Sequence, residues 1–403
     1  MGPSHRFNAD CLTSARVVGR LCSKKELITG ESNQEALVIW TERLNTVEIM
    51  ELLNNKLVKG VIVNKGSFAG HAAGFLNGRG VQLAICAQFQ PIATENGWVL
   101  IDGGNNVIEL SSERTQVPVL EIEPKIELKE LYGERLKVYV DGKDEKELEA
   151  GFVNGADGVG ILKTDWMNWN NDYPPSLEDH LVLYDKCLEK VGDKRLNVRL
   201  FDVGGDKIPK WANSAYELIK SPIGFRGIRA FEVLSQAYKT QIEALGIIAK
   251  KAKIGVVLPM VTNVEEVRLI KDEFKKLAAD SWENIVWGIM VEIPEAALTI
   301  GELLGESDFV RLGPGDLSQA CLAMDRDNIP PKYYSRSNLS PGVIKLITLT
   351  ADECKRQGKE INICQDVEPD IGLIGKIISA GVDSFCVSHT CVEHMKKIVN
   401  AID

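Results

Sequence analysis

From about residue 134 to the end, short β-branched and aliphatic runs alternate with longer stretches whose apolar positions recur at helical spacing. That alternation is the pattern of βα units on a parallel sheet. The short runs are LKVYV (136–140), GVGIL (158–162), NVRLFD (197–202), IGVVLPM (254–260), VWGIMVE (286–292), FVRLG (309–313), INICQ (361–365) and SFCVS (384–388). Helical candidates fall at 144–154, 178–191, 225–251, 264–279, 294–304, 341–357, 368–380 and 391–401. Eight strands, each followed by a helix, predict a (β/α)8 TIM barrel, and roughly 270 residues suits one. The βα loops at 163–177, 203–224 and 314–340 lie where barrels build their sites.

Residues 35–110 read differently. ALVIW (36–40), a helical candidate near 46–56, VIVN (61–64), QLAICA (82–87), WVLIDG (98–103) and VIEL (107–110) predict a small α/β domain. The stretch 111–134, charged and carrying Pro118 and Pro124, reads as a linker. The expected organisation is a small α/β domain over 1–115, a linker over 116–134 and the barrel over 135–403. MGPSH at the start is set aside as partly an expression scar.

A chain of 403 residues has room for that barrel plus one small domain. At 44% hydrophobic and 26% charged, it has the composition of a folded protein. With 47 basic and 57 acidic residues its formal charge is −10, which argues against non-specific binding to nucleic acid or anionic membrane. The nine cysteines show no C-x-x-C spacing, so neither a disulfide framework nor a zinc knuckle is expected. Neither a signal-peptide core nor an apolar run of about 18 residues is present. A reducing, cytoplasmic setting is expected.

Candidate chemistry collects at the predicted strand ends. Lys163 follows the second run, Arg199 and Asp202 end the third, and Lys207 lies just past it. Glu292 ends the fifth, Asp316 follows the sixth, Cys364 ends the seventh, and Arg226 and Arg326 lie in or after the longest loops. Glu292 and Asp316 offer hard oxygen ligands suited to Mg2+; the alternative is a pair of caps or salt bridges. Arg199, Lys207, Arg226 and Arg326 suit phosphate and carboxylate, so a small, highly anionic substrate is expected. Cys364 is either an inert buried thiol or a proton donor to an enolate, since a thiol of pKa about 8.5 is protonated at neutral pH. In the amino-terminal third, His71 sits in the Gly-rich loop KGSFAGHAAG (65–74). Glycines ahead of a helix let backbone N–H groups approach an anion, and a histidine there can carry a phosphoryl group; the alternative is an incidental histidine.

Several strings in one order carry a resemblance: GADGVGILKTDW (155–166), VRLFDVGGDK (198–207), IGFRGIRA (223–230), LPMVTNVEEV (258–267), GIMVEIPEAA (288–297), LGPGDLSQACLAMDR (312–326), NLSPGVI (338–344) and ICQD (363–366). They resemble the phosphoenolpyruvate-utilising enzymes, most closely the bacterial phosphotransferase-system enzyme I branch. The resemblance covers 155–400 strongly and 60–110 more weakly. It implies that Mg2+ on Glu292 and Asp316 holds phosphoenolpyruvate, with Lys163, Arg199, Lys207, Arg226, Asp316 and Arg326 around it. It further implies that the phosphoryl group passes to His71 on a swivelling domain, that Cys364 protonates the enolate to pyruvate, and that the barrels form a homodimer.

Departures stand beside it. Lys163 replaces a usual Arg, Gly315 a usual Asn, and Cys364-Gln365-Asp366 a usual Cys-Gly-Glu, while GSFAGH lacks the usual Thr-Ser pair before the histidine. Residues 24–38 leave no room for the phosphocarrier-docking helical domain, and no stretch could encode an ATP-grasp domain. The expected function is a phosphoenolpyruvate-dependent phosphotransferase acting through His71 on an unidentified acceptor, a small molecule or a protein. The alternatives are a Mg2+-dependent lyase or aldolase acting on a pyruvate enolate, and a non-catalytic metabolite-binding regulator.

Overall fold

Strands buried on both faces read as near-continuous apolar runs, and βα repetition places them in parallel. In the structure, a computed structural model, the described residues are 5–12, 16–23, 35–43, 52, 55–66, 76, 81–90, 97–111, 136–205, 207–216, 224–325, 339–365, 371–382 and 384–402. They form two compact units, one containing the described residues up to Ser111 and the other built chiefly from those after Leu136.

In the first unit, eight strands form one sheet. They are β1 (His5–Asn8), β2 (Asp10–Cys11), β3 (Arg16–Ser23), β4 (Leu37–Thr41), β5 (Val58–Val63), β6 (Gln82–Ile85), β7 (Trp98–Asp102) and β8 (Val107–Ser111), in the order β1-β8-β7-β3-β4-β5-β6-β2. The central pairs β3/β4, β4/β5 and β5/β6 are parallel. Alternate residues build two cores: Leu37, Ile39, Val61 and Val63 in one, Val38, Ile62, Ala84 and Ile101 in the other. A period of two carries successive side chains to opposite faces, so this sheet is covered on both.

The second unit is a closed barrel of eight parallel strands: β9 (Lys137–Gly142), β10 (Gly158–Leu162), β11 (Leu196–Arg199), β12 (Ile254–Leu258), β13 (Ile285–Val291), β14 (Phe309–Leu312), β15 (Glu360–Gln365) and β16 (Ser384–Ser388). The ladder between β16 and β9, with Ser384 opposite Lys137 and Ser388 opposite Asp141, closes it. Asp144, Asn263 and Ser340 cap the helices Glu145–Val153, Val264–Leu277 and Pro341–Arg356 with side-chain acceptors, and Ser176 with Asp179 forms a capping box ahead of Leu177–Val191. Such a cap contributes about 1 kcal/mol. The interior is filled, as in barrels generally. Buried Arg311 lies over the Phe309 and Tyr139 rings, 4.6 and 5.9 Å from their centroids, and its Nη1 is 2.8 Å from Glu360 Oε1.

All eight predicted barrel strands are present, β10 and β16 with the expected bounds. Four expectations need correction. The loop predicted at 314–340 begins with a helix, Pro314–Leu322, because Pro at the first helical position carries no N–H to leave unsatisfied. The candidate at 294–304 divides into Pro294–Leu298 and Ile300–Leu303. The candidate at 225–251 begins as a short 3-10 turn, Gly227–Ala230, before the helix Ser235–Ala249. Finally, His5, the last residue of the segment set aside, belongs to β1, paired with Leu110. The expected linker at 116–134 and most of the helical candidate at 46–56 lie outside the described residues.

Candidate active site at the barrel mouth

The loop after β11 turns back on itself through Gly204. Its φ of 128° and the 2.5 Å between an added Cβ and Phe225 O exclude a side chain there. Gly204 forms isolated bridges with both Lys207 and Arg226, which brings two cations from distant positions to the end of β11. They converge on Asp202. Arg226 Nε donates to Asp202 Oδ1 at 2.7 Å, while Arg226 Nη2 and Lys207 Nζ both donate to Oδ2 at 2.7 Å. Arg199 Nη1 is 3.2 Å from the same oxygen. Arg226 also reaches Asp316, in the first turn of its helix, at 2.8 and 3.3 Å. Asp165 completes the group: it accepts from the Asp202 backbone N–H at 2.7 Å and pairs with Arg199.

A second layer holds the backbone beneath these charges. Gln241 donates to Thr164 Oγ1 at 2.9 Å and accepts from the Phe201 N–H at 3.0 Å, and Thr164 donates to Arg199 O at 3.1 Å. The Tyr238 hydroxyl is shared between Phe201 O and Gly227 O, at 2.7 and 2.6 Å. Buried polar groups joined in this way rigidify the strand end.

Glu292 follows β13, is 1% exposed and accepts from the Met260 backbone N–H at 2.7 Å. Burial, then repulsion from Asp316 and Asp202, raises its carboxyl to about 7. Asp202 moves the other way: burial opposes its charge, but Arg226, Lys207 and Arg199 outweigh burial and hold it well below the usual carboxylate range. Burial lowers the Lys207 ammonium against the pull of Asp202. Arg199 is buried too, yet Asp165 and Asp202 raise it. Among the described residues, three cations (Arg199, Lys207, Arg226) thus face four carboxylates (Asp165, Asp202, Glu292, Asp316). With Glu292 part-protonated near neutrality, the group carries a net charge between −1 and 0. Each of these three cations is already paired with a carboxylate. A dication would suit this arrangement, because burial and the charges of Asp316 and Asp202 resist ionisation of Glu292 even beside Arg226 and Arg199, and two carboxylates with further oxygen ligands suit Mg2+.

On the opposite side of the barrel, Cys364 on β15 lies opposite Cys386 on β16 in the ladder. Asp141, near the end of β9, accepts from the Cys386 thiol and lies 3.4 Å from Lys163 Nζ. Cys364 packs in one apolar cluster with Met290, whose Sδ contacts Arg199 Nη1 at 3.8 Å.

The structure therefore brings Arg199, Lys207, Arg226 and Asp316 into one ion network with Asp202. Glu292 senses that network electrostatically, and Lys163 and Cys364 fall in a neighbouring group. His71 and Arg326 lie outside the described residues. Asp165, Asp141 and Cys386 were not anticipated as site residues.

A sequence profile for the PEP-utilising enzymes, covering their PEP-binding domain, matches residues 120–403. The chain belongs to the PEP-utilising enzymes. Similar curated proteins include the phosphoenolpyruvate-protein phosphotransferases of Listeria innocua, 27% identical over 376 residues, and Staphylococcus epidermidis, 26% identical over 376 residues. Each alignment covers 87% of this chain and 65% of the relative. The protein of that name from Haemophilus influenzae is 25% identical over 378 residues, 87% of this chain and 64% of its own length. This PEP-utilising chain thus spans just under two thirds of the length of these relatives. Among its described residues, no helix is long and apolar enough to cross a membrane.

Proposed function

We propose that the chain is a phosphoenolpyruvate-dependent phosphotransferase that passes the phosphoryl group to His71 and then to an acceptor still to be identified, releasing pyruvate. The observation that carries the reading is the buried network centred on Asp202, which fixes three phosphate-suited cations beside two carboxylates at the barrel mouth. In this reading Arg199, Lys207 and Arg226, with Lys163 and Arg326, grip the phosphate and carboxylate of phosphoenolpyruvate. Fixed donors of this kind stabilise charge as it spreads during transfer. Glu292 and Asp316 would hold Mg2+, which supplies positive charge to the substrate oxygens.

The neutral imidazole of His71 attacks phosphorus, a P–N bond forms, and the P–O bond to the enolate breaks. The Cys364 thiol then gives its proton to the enolate methylene carbon, leaving pyruvate and a thiolate that must regain a proton before the next turn. The domain reading is part of the same proposal: a swivelling histidine domain over 1–115, a linker over 116–134 and the barrel over 135–403, pairing with a second copy.

The test is incubation with phosphate-labelled phosphoenolpyruvate. Acid-labile, base-stable label on the native protein and none on His71→Ala is the expected result. Label retained by the variant removes His71 from the mechanism.

A further inference from the structure

The barrel interior holds a second set of ligands that the proposed transfer does not use as a set. Asp141, Cys364 and Cys386 each offer one ligand atom, and all three atoms lie within 4.8 Å of one another. They come from three successive strands, β9, β16 and β15, so barrel closure, and not a loop, fixes their spacing. All three are buried. The space on the β10 side is left by Gly160: a Cβ there would sit 1.7 Å from Cys386 Sγ. Two residues before Cys364, hence on the same inward face, buried Asn362 has neither side-chain polar atom hydrogen-bonded among the described residues. At this level buried Asp141 and Asn362 adjoin a sulfur-rich apolar cluster of Met290, Cys364 and Cys386, where a barrel core is ordinarily aliphatic.

We propose that Asp141, Cys364 and Cys386 form a binding site for one soft divalent cation, of which Zn2+ is the natural occupant. Cysteine thiolates and an aspartate oxygen are each ligands that Zn2+ accepts, and a water would complete the tetrahedron. Thiolate ligands discriminate against Mg2+, which the carboxylates of Glu292 and Asp316 suit instead. Binding is a substitution without redox change: Zn2+ displaces one proton from each thiol, and two protons leave to solvent. Two thiolates, one carboxylate and the dication sum to −1, and Lys163, 3.4 Å from Asp141, balances it. The site itself is independent of the phosphotransferase reading. Its consequence, that a bound cation withholds the Cys364 proton and stops pyruvate release, rests on that reading.

The full chain, reduced and freed of metal, is titrated with Cd2+ and separately with Co2+ in excess Mg2+. Thiolate-to-metal charge-transfer absorption and released protons are recorded. One equivalent bound with two protons released is expected, unaffected by Mg2+. Cys386→Ser and Asp141→Asn should each weaken binding by about tenfold or more, while Cys321→Ser, which alters a cysteine outside the cluster, leaves it unchanged. Binding of undiminished affinity in both Cys386→Ser and Asp141→Asn, or no charge-transfer band in the native chain, overturns the site. Using both variants guards against one failing to fold. Zn2+ inhibition of pyruvate release is scored separately, so an inactive chain that still binds one Cd2+ refutes the phosphotransferase reading and leaves the site standing.

Discussion

Glu292→Gln should make the metal-free protein more stable at alkaline pH. The Glu292 carboxyl is raised from 4.5 to about 7 by burial and by Asp316 and Asp202. Between those values the native state keeps a proton that the unfolded chain has lost, so stability falls as pH rises through this window. A pKa change of one corresponds to about 1.4 kcal/mol, which makes the loss on the order of 3 kcal/mol by pH 8, an upper bound because a carboxylate can relax toward a partner. Glutamine has the same shape, keeps an oxygen for the Met260 N–H, never ionises, and places an NH2 donor near two carboxylates. Urea denaturation with a chelator present, at pH 5 and pH 8, isolates the effect, because other titrations cancel between the two proteins. The variant should gain up to about 3 kcal/mol at pH 8 and little at pH 5. Added Mg2+ should stabilise the native chain at pH 8 and the variant much less. A stability difference of equal size at both pH values would refute the reasoning.

Other substitutions test other parts of the mouth. Asp202→Asn leaves Arg199, Lys207 and Arg226 buried with one countercharge fewer, and should cost about 3–5 kcal/mol in chemical denaturation. Gly204→Ala forces a side chain onto a backbone with φ of 128° and into Phe225 O; a loss of about 1–3 kcal/mol from strain alone is expected, read as a lower thermal midpoint. Cys364→Ala should slow pyruvate release from phosphoenolpyruvate by about a hundredfold or more if the thiol is the proton donor, measured with a coupled pyruvate assay.

The barrel was legible because its strands are largely buried on both sides and so appear as short, mainly apolar runs, even where Asn197, Arg199, Arg311 and Asn362 interrupt them. GVGIL and SFCVS coincide with β10 and β16. NVRLFD overran β11, which ends at Arg199, because Leu200 and Phe201 remain apolar and buried after leaving the strand. In the other unit, β3 escaped notice: RVVGRLCS is mostly half-buried, and its arginines interrupt the apolar pattern that marks a central strand. The cations of the site were legible from their strand-end positions. Their partners were less so, since nothing local in the sequence says that Asp202 will take three of them. Asp141 and Cys386 are 245 residues apart and meet because the first and last barrel strands pair. Once eight strands are counted, that pairing follows, and an acid ending the first strand beside a cysteine in the last was a signal available to find them.

The Asp202 network also bears on how an anion could bind at all. A pocket of free cations would attract any phosphate and would repel itself while empty; here Asp202 and Asp165 hold the guanidinium and ammonium groups in place before a ligand arrives. Buried ion pairs contribute little net stability, so what this arrangement provides is position. The drawback is that, among the described residues, these cations leave no surplus positive charge for a substrate. A dication at Glu292 and Asp316 would restore that surplus and would at the same time relieve the repulsion that keeps Glu292 near half-protonation. The two carboxylates then do different work: Asp316 already shares its charge with Arg226, whereas Glu292, bonded to the Met260 N–H and raised to about 7, is the one whose ionisation a cation would change. Metal affinity at the mouth should therefore follow the proton on Glu292, weakening as pH falls below about 7 and losing that dependence in Glu292→Gln, as isothermal titration with Mg2+ at several pH values would measure.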